Sequence, residues 1–476
     1  MQRVRVLALD HYFDQDLRAL EAHPRLEVRR FPYRRLRAPA MRIMGSQVAH
    51  SLRAYNDPGI AAARDRYAAW LAREVEHLYL ERAFDVLVLP SDAFFYVRAL
   101  PAAAHRLGLP VVVVQKETTV SQATMETFSR EVGAEAPFVS DFMTVCSDRQ
   151  REFWMRAGAD AERVTVTGQP RFDIYASATP AGQASPRRVL FLTYALDAYV
   201  PGAGRGRGLR TWEPLRDATE AALVDLAREG ACEVVVKCHP QQDRREVAQT
   251  LASLAGNVWN RGVRLASQDA DTRDLIIGAD FVVGFQTTAL YEAVAARRRV
   301  IYAAWGDAYE QYRGELIPFD AAPPECIHHA DSRETLVAML KDAPPPASGC
   351  ASWYETALGP VDGHATDRVA ERLASVAADW APTERRRGLD RGRRRYAVSL
   401  LARSLAAEAV WTAAVPVANI TGEQRRVRIM RQRAREGRSM ASSTLRGQAV
   451  RGTGWALTRS PKAHRLGHFR LVQNTW

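Results

Sequence analysis

Residues 234–240 read VVVKCHP. Three valines suit a strand buried on both faces. Lys237 and His239 at its end bring a cation and an imidazole, which suit an anionic ligand such as a nucleoside diphosphate. Pro240 turns the chain away from the strand. On this motif alone, a lysine lying along apolar surface and a histidine capping a helix account equally well for the pattern.

A second stretch, DFVVGFQTTALYEA at 280–293, has the same logic. A buried strand meets Gly284, then Gln286, Thr287 and Thr288, then a helix carrying Glu292. A helix start preceded by glycine offers backbone N–H groups and the positive end of the helix dipole. Thr287 and Thr288 add hydroxyls, as ligand donors or as caps. Glu292 falls one turn after Thr288, on about the same face. From there it can accept hydrogen bonds from a ribose diol, or simply stand in solvent.

Both motifs need strands to deliver them. The first half of the chain alternates β and α, with strands expected at 4–9, 86–89, 111–114, 142–146 and 164–167. Helical patterns lie between them at 57–82, 93–107 and 148–157. A polar break, ASATPAGQASP at 176–186, reads as a linker. The pattern then restarts, with strands at 189–193, 234–236, 263–265, 281–283 and 300–302. Two βαβ series joined by a linker predict an α/β protein of two doubly wound, Rossmann-like domains facing a cleft. The boundaries are 1–175 and 187–380, followed by a basic tail at 381–476.

The charge supports the last boundary. The 476-residue chain carries +12, yet the residues from 381 on hold 20 Arg and 1 Lys against 5 acids, leaving the rest at −4. Within the tail, 396–420 is Ala/Leu/Val-rich with helical spacing, and Pro416 limits it. Beyond Gly422 the composition is that of a poorly ordered segment. A basic run beside an amphipathic helix favours an anionic membrane surface as partner, the alternative being a C-terminal helix that packs back on the first domain. Nucleic acid is not expected, because aromatic interleaving and RNA modules are missing. Five cysteines with no CxxC pair suggest a reducing cytoplasm. The N-terminus does not read as a signal peptide.

In order and spacing the motifs resemble GT-B glycosyltransferases. They are most similar to the bacterial capsule and cell-wall polymer group, which includes CDP-glycerol glycerophosphotransferases. VTGQPRFD at 166–173, VVVKCHP, GFQTTALYEA and VDGHATDRV at 361–369 carry the resemblance, over about residues 85–378. It implies that His239, Thr287 and Thr288 hold donor phosphates. It also makes Gly168, Arg171, Asp362 and Gly363 possible donor or acceptor contacts. The implied partners are a nucleotide-sugar or CDP-polyol donor and a glycan or lipid-linked glycan acceptor, met at the inner face of the plasma membrane.

The chain departs from the acidic Asp/Glu-Asp-Gly acceptor base of sialyltransferase-type enzymes. Asp92 in LPSDAFF, Glu117 in QKETT and Asp10 at the end of the first strand are the candidate replacements, each a possible base for an acceptor hydroxyl. Asp92 reads equally as a helix cap and Glu117 as a surface residue. UDP-N-acetylglucosamine 2-epimerases share the architecture, but their N-terminal Gly-Thr-Arg-Pro-Glu and His-Gly-Asp-Thr segments are missing here. A binding protein that kept the nucleotide site without catalysis is the third possibility.

GAGRGRG at 202–208 fails as a phosphate loop, since no helix opens at its third glycine. His328-His329 and the cysteines lack metal spacing. The Asp-x-Asp triplets at 14–16 and 269–271 end no apolar strand, and the second reads as a helix cap. Transfer without metal or cofactor is expected, with leaving-group charge met by helix dipole and basic side chains.

Overall fold

A computed structural model describes residues 3–11, 13–116, 125–182, 184–196, 210–239, 242–413 and 424–446. Glu117, Pro240 and the 202–208 loop lie outside the described residues. So does the chain beyond 446.

The α/β class expected from the sequence is what forms. β1 (Val4–Asp10), β2 (Leu26–Pro32), β3 (Val86–Leu89), β4 (Val111–Val114), β5 (Phe142–Val145) and β6 (Val164–Val166) make one six-stranded sheet of order β2-β1-β3-β4-β5-β6. β7 (Arg187–Leu192), β8 (Cys232–Lys237), β9 (Val263–Leu265), β10 (Phe281–Gly284), β11 (Arg299–Ala303) and β12 (His328–Ala330) make a second, of order β12-β11-β10-β7-β8-β9. Every described strand pair is parallel, as strands joined by crossover connections through helices are. Strands VLVL and VVVV, β3 and β4, are buried throughout, which is why they read as continuous apolar runs.

The sequence pattern missed β2 and β12. Both are edge strands. β2 reads LEVRRFP and β12 reads HHA. Charged or short edges discourage pairing with other chains, at the expense of a hydrophobic signal.

The chain divides into two compact units. The first takes the described parts of 1–114, 139–142 and 370–446, and the second those of 115–138 and 143–369. The second holds a continuous core running from Phe172 through Val189–Leu192, Val234, Phe281–Val283 and Val300–Ala304 to Val361.

In the first unit, the basic run that opens the expected tail is a helix, Glu384–Ala413, beginning well before Tyr396. It packs on the Ala61–Glu81 helix. Arg386, only 9% exposed, donates to the Tyr79 hydroxyl at 3.1 Å, Gly108 O at 3.3 Å and Asp85 Oδ1 at 3.1 Å. Tyr79 donates in turn to Asp390 at 2.8 Å, and Arg385 pairs with Glu76. A second helix, Gln424–Arg446, packs along the first.

The cysteine pattern also needs correction. Cys326 and Cys350, both buried in the second unit, are joined as a disulfide with Cα atoms 5.7 Å apart. The two lie 24 residues apart, so no short motif announced them.

Candidate functional site

In the second sheet the chain runs from β7 through β8 to β9 on one side, then returns to build β10, β11 and β12 on the other. Such a reversal leaves a crevice beyond the carboxyl ends of the central strands, the place where open α/β sheets bind ligands. Gly284 at the end of β10 is in register with Leu192 at the end of β7, which is in register with Lys237 at the end of β8. Two strand spacings therefore separate Gly284 from Lys237, about 10 Å. The KCHP and GFQTT motifs open onto one edge of one sheet.

Gln242 ties the β8 exit to the β7 exit. Its Oε1 accepts the His239 N–H at 2.7 Å, and its amide donates to Tyr194 O at 2.8 Å. Burial holds the His239 imidazole below the usual histidine range, so near pH 7 it is neutral. Burial likewise lowers the half-buried Lys237 ammonium, with Cys238, Asp271 and Asp269 among the groups opposing the shift.

The β10 exit divides its residues between tasks. A Cβ on Gly284 would press on Leu290 and Thr287 at 3.2 Å each. Gln286 adopts φ +45° and is buried. Its amide donates to the Tyr302 hydroxyl at 2.7 Å and Ile317 O at 2.9 Å, and accepts Ile317 N–H at 2.8 Å. That side chain holds the 313–319 loop instead of presenting itself at the strand end. Thr287 Oγ1 accepts from Ala289 N–H at 3.3 Å, and Thr288 precedes the Ala289–Ala295 helix without a side-chain cap.

Glu292 sits in that helix among charges from three other segments. The Tyr175 hydroxyl donates to its Oε2 at 2.7 Å. Burial raises its carboxyl above the usual glutamate range, opposed first by Arg171, then by the Tyr175 bond and Arg273. Arg273 donates to Arg171 O at 3.0 Å and chelates Asp271, which caps the Thr272–Gly278 helix. Lys237, Asp271, Arg273, Arg171, Glu292 and Tyr175 thus form one connected charged group. A structural ion pair needs two members; a set of three cations with the carboxylates of Asp269, Asp271 and Glu292 beside them can meet an anion and its hydroxylated neighbour.

Gly168, Asp362 and Gly363 do something different. VTGQPRFD and VDGHATDRV clasp each other. Asp173 accepts from Ala365 and Thr366 N–H at 2.9 and 2.8 Å, capping the Ala365–Asp379 helix. Arg368 donates to Thr167 O at 2.7 Å and to both oxygens of Asp362 at 2.8 and 3.0 Å. Those bonds hold the Asp362 carboxyl down at about 2. Gly168 has φ +75°, and a Cβ there would sit 2.8 Å from Pro360 O. Gly363, at φ +82°, follows the same turn, in which His364 N–H bonds Asp362. Of the four possible contacts, only Arg171 joins the charged group.

In the first unit, Asp92 is fully buried and accepts from the Val139 and Ser140 amides at 2.9 and 2.8 Å, with Arg98 at 3.9 Å. It pins the turn that leads into β5. Asp10 stays half-buried at the end of β1. Burial raises its carboxyl, opposed by Arg30 and reinforced by Asp14 and Glu21.

Sequence reasoning passed over Tyr175, Arg273, Gln242 and a further buried pair, Arg216 and Glu220, 8% and 3% exposed, on the Glu213–Arg228 helix. Burial pushes the Glu220 carboxyl up to about 7, with Arg216 at 3.7 Å and the Thr193 hydroxyl opposing. The signal was there: Arg216 and Glu220 stand at i and i+4 in step with Leu223 and Ala227, charges on the apolar stripe.

No family profile and no curated protein matches the chain. Solved structures do. UDP-GlcNAc 2-epimerase from Methanocaldococcus jannaschii is 12% identical with a TM-score of 0.46, covering 79% of this chain and 100% of its own. The Neisseria meningitidis UDP-GlcNAc 2-epimerase bound to UDP-GlcNAc is also 12% identical, at 0.43, over 79% and 100%. The wall teichoic acid polymerase TagF is 10% identical at 0.42, over 79% and 89%.

Proposed function

We propose that this chain is a GT-B type transferase whose second unit binds a nucleotide-activated donor. The enzyme would move a sugar or polyol phosphate from that donor to a bacterial surface glycan. The observation that supports this most is the connected charged group beside a topological switch. Lys237, Arg171 and Arg273 supply positive charge for a diphosphate. His239, neutral at pH 7, supplies a hydrogen bond without a second full charge to desolvate. Glu292, oriented by Tyr175, is an acceptor for a ribose diol. As the diphosphate leaves, these fixed cations meet the charge that develops on it. Asp10 is the carboxylate proposed to take the proton of an attacking hydroxyl, its raised affinity for protons suiting it to that task. Asp92 and Glu117 are the other candidates, although Asp92 Oδ2 already holds two amides.

The test is thermal stabilisation by UDP, CDP and GDP. A nucleotide at about 100 times its Kd stabilises the protein by about 2.7 kcal/mol. Stabilisation by none of them, or stabilisation unchanged in Lys237→Ala and His239→Ala, refutes the site. An epimerase would interconvert UDP-N-acetylglucosamine with no acceptor present, whereas a transferase would not.

The two C-terminal helices are proposed as the contact with an anionic membrane surface. Val398, Leu405 and Val410 on the Glu384–Ala413 helix are 55%, 46% and 62% exposed, and Ile429 on the next helix is 41% exposed. No described helix is long and apolar enough to cross a membrane.

A further inference from the structure

Two segments of the second unit flank the β10 exit, and a covalent bond joins them. The first lies between β11 and β12. Gln286 pairs with its Ile317 N–H and O at 2.8 and 2.9 Å. Its Phe319 ring meets the Tyr291 ring at 5.0 Å. The segment then runs through Pro323 and Pro324 to Cys326. The second is the Ala351–Leu358 helix, which packs on the Ala289–Ala295 helix and is immediately preceded by Cys350. Its Trp353 ring meets the same Tyr291 ring at 4.7 Å. Phe319 and Trp353 are 6.5 Å apart, so the three rings form one cluster, and Glu292 is the residue after Tyr291. The Cys326–Cys350 bond closes these contacts into a ring around the turn that leads from β10 to Glu292.

The bond lies just under the surface. Cys326 and Cys350 are 2% and 5% exposed, but Pro324, Glu325, Ser348, Gly349 and Ala351 beside them are exposed. Gly349 has φ +69°, and a Cβ on it would meet nothing within 4 Å, so open space adjoins Cys350. Pro344 O accepts from Arg299 and Ala347 N–H donates to Arg298 O, which anchors the chain just before Ser348. Residues 348–350 form no helix or strand, so the helix that follows can shift about this point without breaking a ladder. Cys146, Cys232 and Cys238 are free thiols. Burial pushes the first two up to about 12, which leaves them almost no thiolate to compete in disulfide exchange.

We propose that the Cys326–Cys350 bond is a redox control on the β10 exit. Formed, it holds the ring cluster and with it Glu292. A dithiol opens it by exchange: one thiolate attacks a sulfur of the bond and releases the other cysteine, and the second thiolate then displaces the mixed disulfide. Two electrons and two protons pass to the protein, which ends with two thiols, and the reductant ends as a disulfide. The Ala351–Leu358 helix loses its covalent tie to the first segment, and Glu292 loses one side of its support. That the loosening weakens nucleotide binding rests on the donor site proposed above; the loosening itself does not.

Hydrogen exchange and isothermal titration on the full chain, oxidised and after dithiothreitol, test it. Alkylation in denaturant should count three thiols before reduction and five after it. Reduction should speed amide exchange in 286–296 and 351–358 and leave β7 and β8 protected. Whichever of UDP, CDP and GDP binds the oxidised chain should bind the reduced one about tenfold more weakly, an ordinary coupling between two places in a protein, and should recover after reoxidation with diamide. Cys326→Ser with Cys350→Ser should have the weaker affinity from the start and ignore dithiothreitol, which separates this pair from Cys238. Five thiols that persist after diamide overturn the control, as does exchange in 286–296 that ignores reduction. A lower unfolding midpoint with unchanged nucleotide affinity, or protection lost throughout the second unit, also overturns it and leaves the bond a staple. Exchange that responds in a chain binding none of the three nucleotides removes the donor site and keeps the control. Nucleotide binding without any response of exchange does the reverse.

Discussion

Glu220 gives the sharpest physical test of the second unit. It is 3% exposed, beneath the exits of β7 and β8, with Arg216 as its ionic partner. Its carboxyl is pushed up to about 7 from an ordinary value of 4.5. Between those two pH values the folded protein holds a proton that the unfolded chain releases. Stability therefore falls as pH rises from 4.5 to 7, and the loss is complete above 7. A shift of that size corresponds to about 3 kcal/mol. Glu220→Gln has no proton to lose and stays neutral throughout. At acid pH the variant resembles the protonated parent, and Arg216 sees an uncharged neighbour in both. Above pH 7 only the parent carries the buried carboxylate. Urea unfolding of both proteins at pH 5, 6, 7 and 8 isolates the effect, because every other titrating group is common to the pair. The variant should gain on the parent by about 3 kcal/mol across that range. Parallel stability profiles would refute the reasoning, since they would mean that water or Arg216 keeps the carboxyl at its ordinary value.

Other outcomes follow from the same geometry. His239→Ala should leave the unfolding midpoint near that of the parent and weaken UDP or CDP binding about tenfold, a charge-assisted hydrogen bond's worth; isothermal titration reads both nucleotides. Gly168→Ala should destabilise by about 2 kcal/mol or more through its positive φ and the approach of Pro360 O, with nucleotide affinity per folded molecule unchanged. Arg386→Met should cost about 2 kcal/mol by leaving the buried Gly108 and Phe84 carbonyls without their donor while Arg5 still holds Asp85, and a chain ended at Trp380 should expose the first unit to limited proteolysis. The full chain should sediment with anionic vesicles at low salt and leave them at high salt, and Val398→Ser with Leu405→Ser should weaken that attachment; sedimentation indifferent to lipid charge rules the surface out.

What the sequence reveals depends on how far away the partner is. β3, β4 and β10 were legible because a strand buried on both faces shows its environment in its own residues. β2 was not, because LEVRRFP pairs on one side only. The same limit governs the site. Lys237 and His239 could be placed at a strand end from VVVKCHP alone, since Pro240 and three valines suffice to fix it. Asp92 could not be told from a base, because the amides it holds come 47 and 48 residues later. The clasp of Asp173 on the Ala365 amide spans 192 residues, and the bond of Arg368 to Thr167 O spans 201. Two motifs that resemble ligand contacts therefore turn out to hold each other. Two of the residue types are the same in both cases: an aspartate and an arginine. What separates a clasp from a site is where its members stand. In the clasp, Arg368 answers Asp362 and Thr167 O, and Asp173 answers a helix start, all within the two motifs. In the second sheet, Lys237, Arg171 and Arg273 come from three segments and meet Glu292, Asp269 and Asp271 beside the reversal of strand order. That gathering, which no single motif displays, is the reason to look for an anion at the switch of the second sheet.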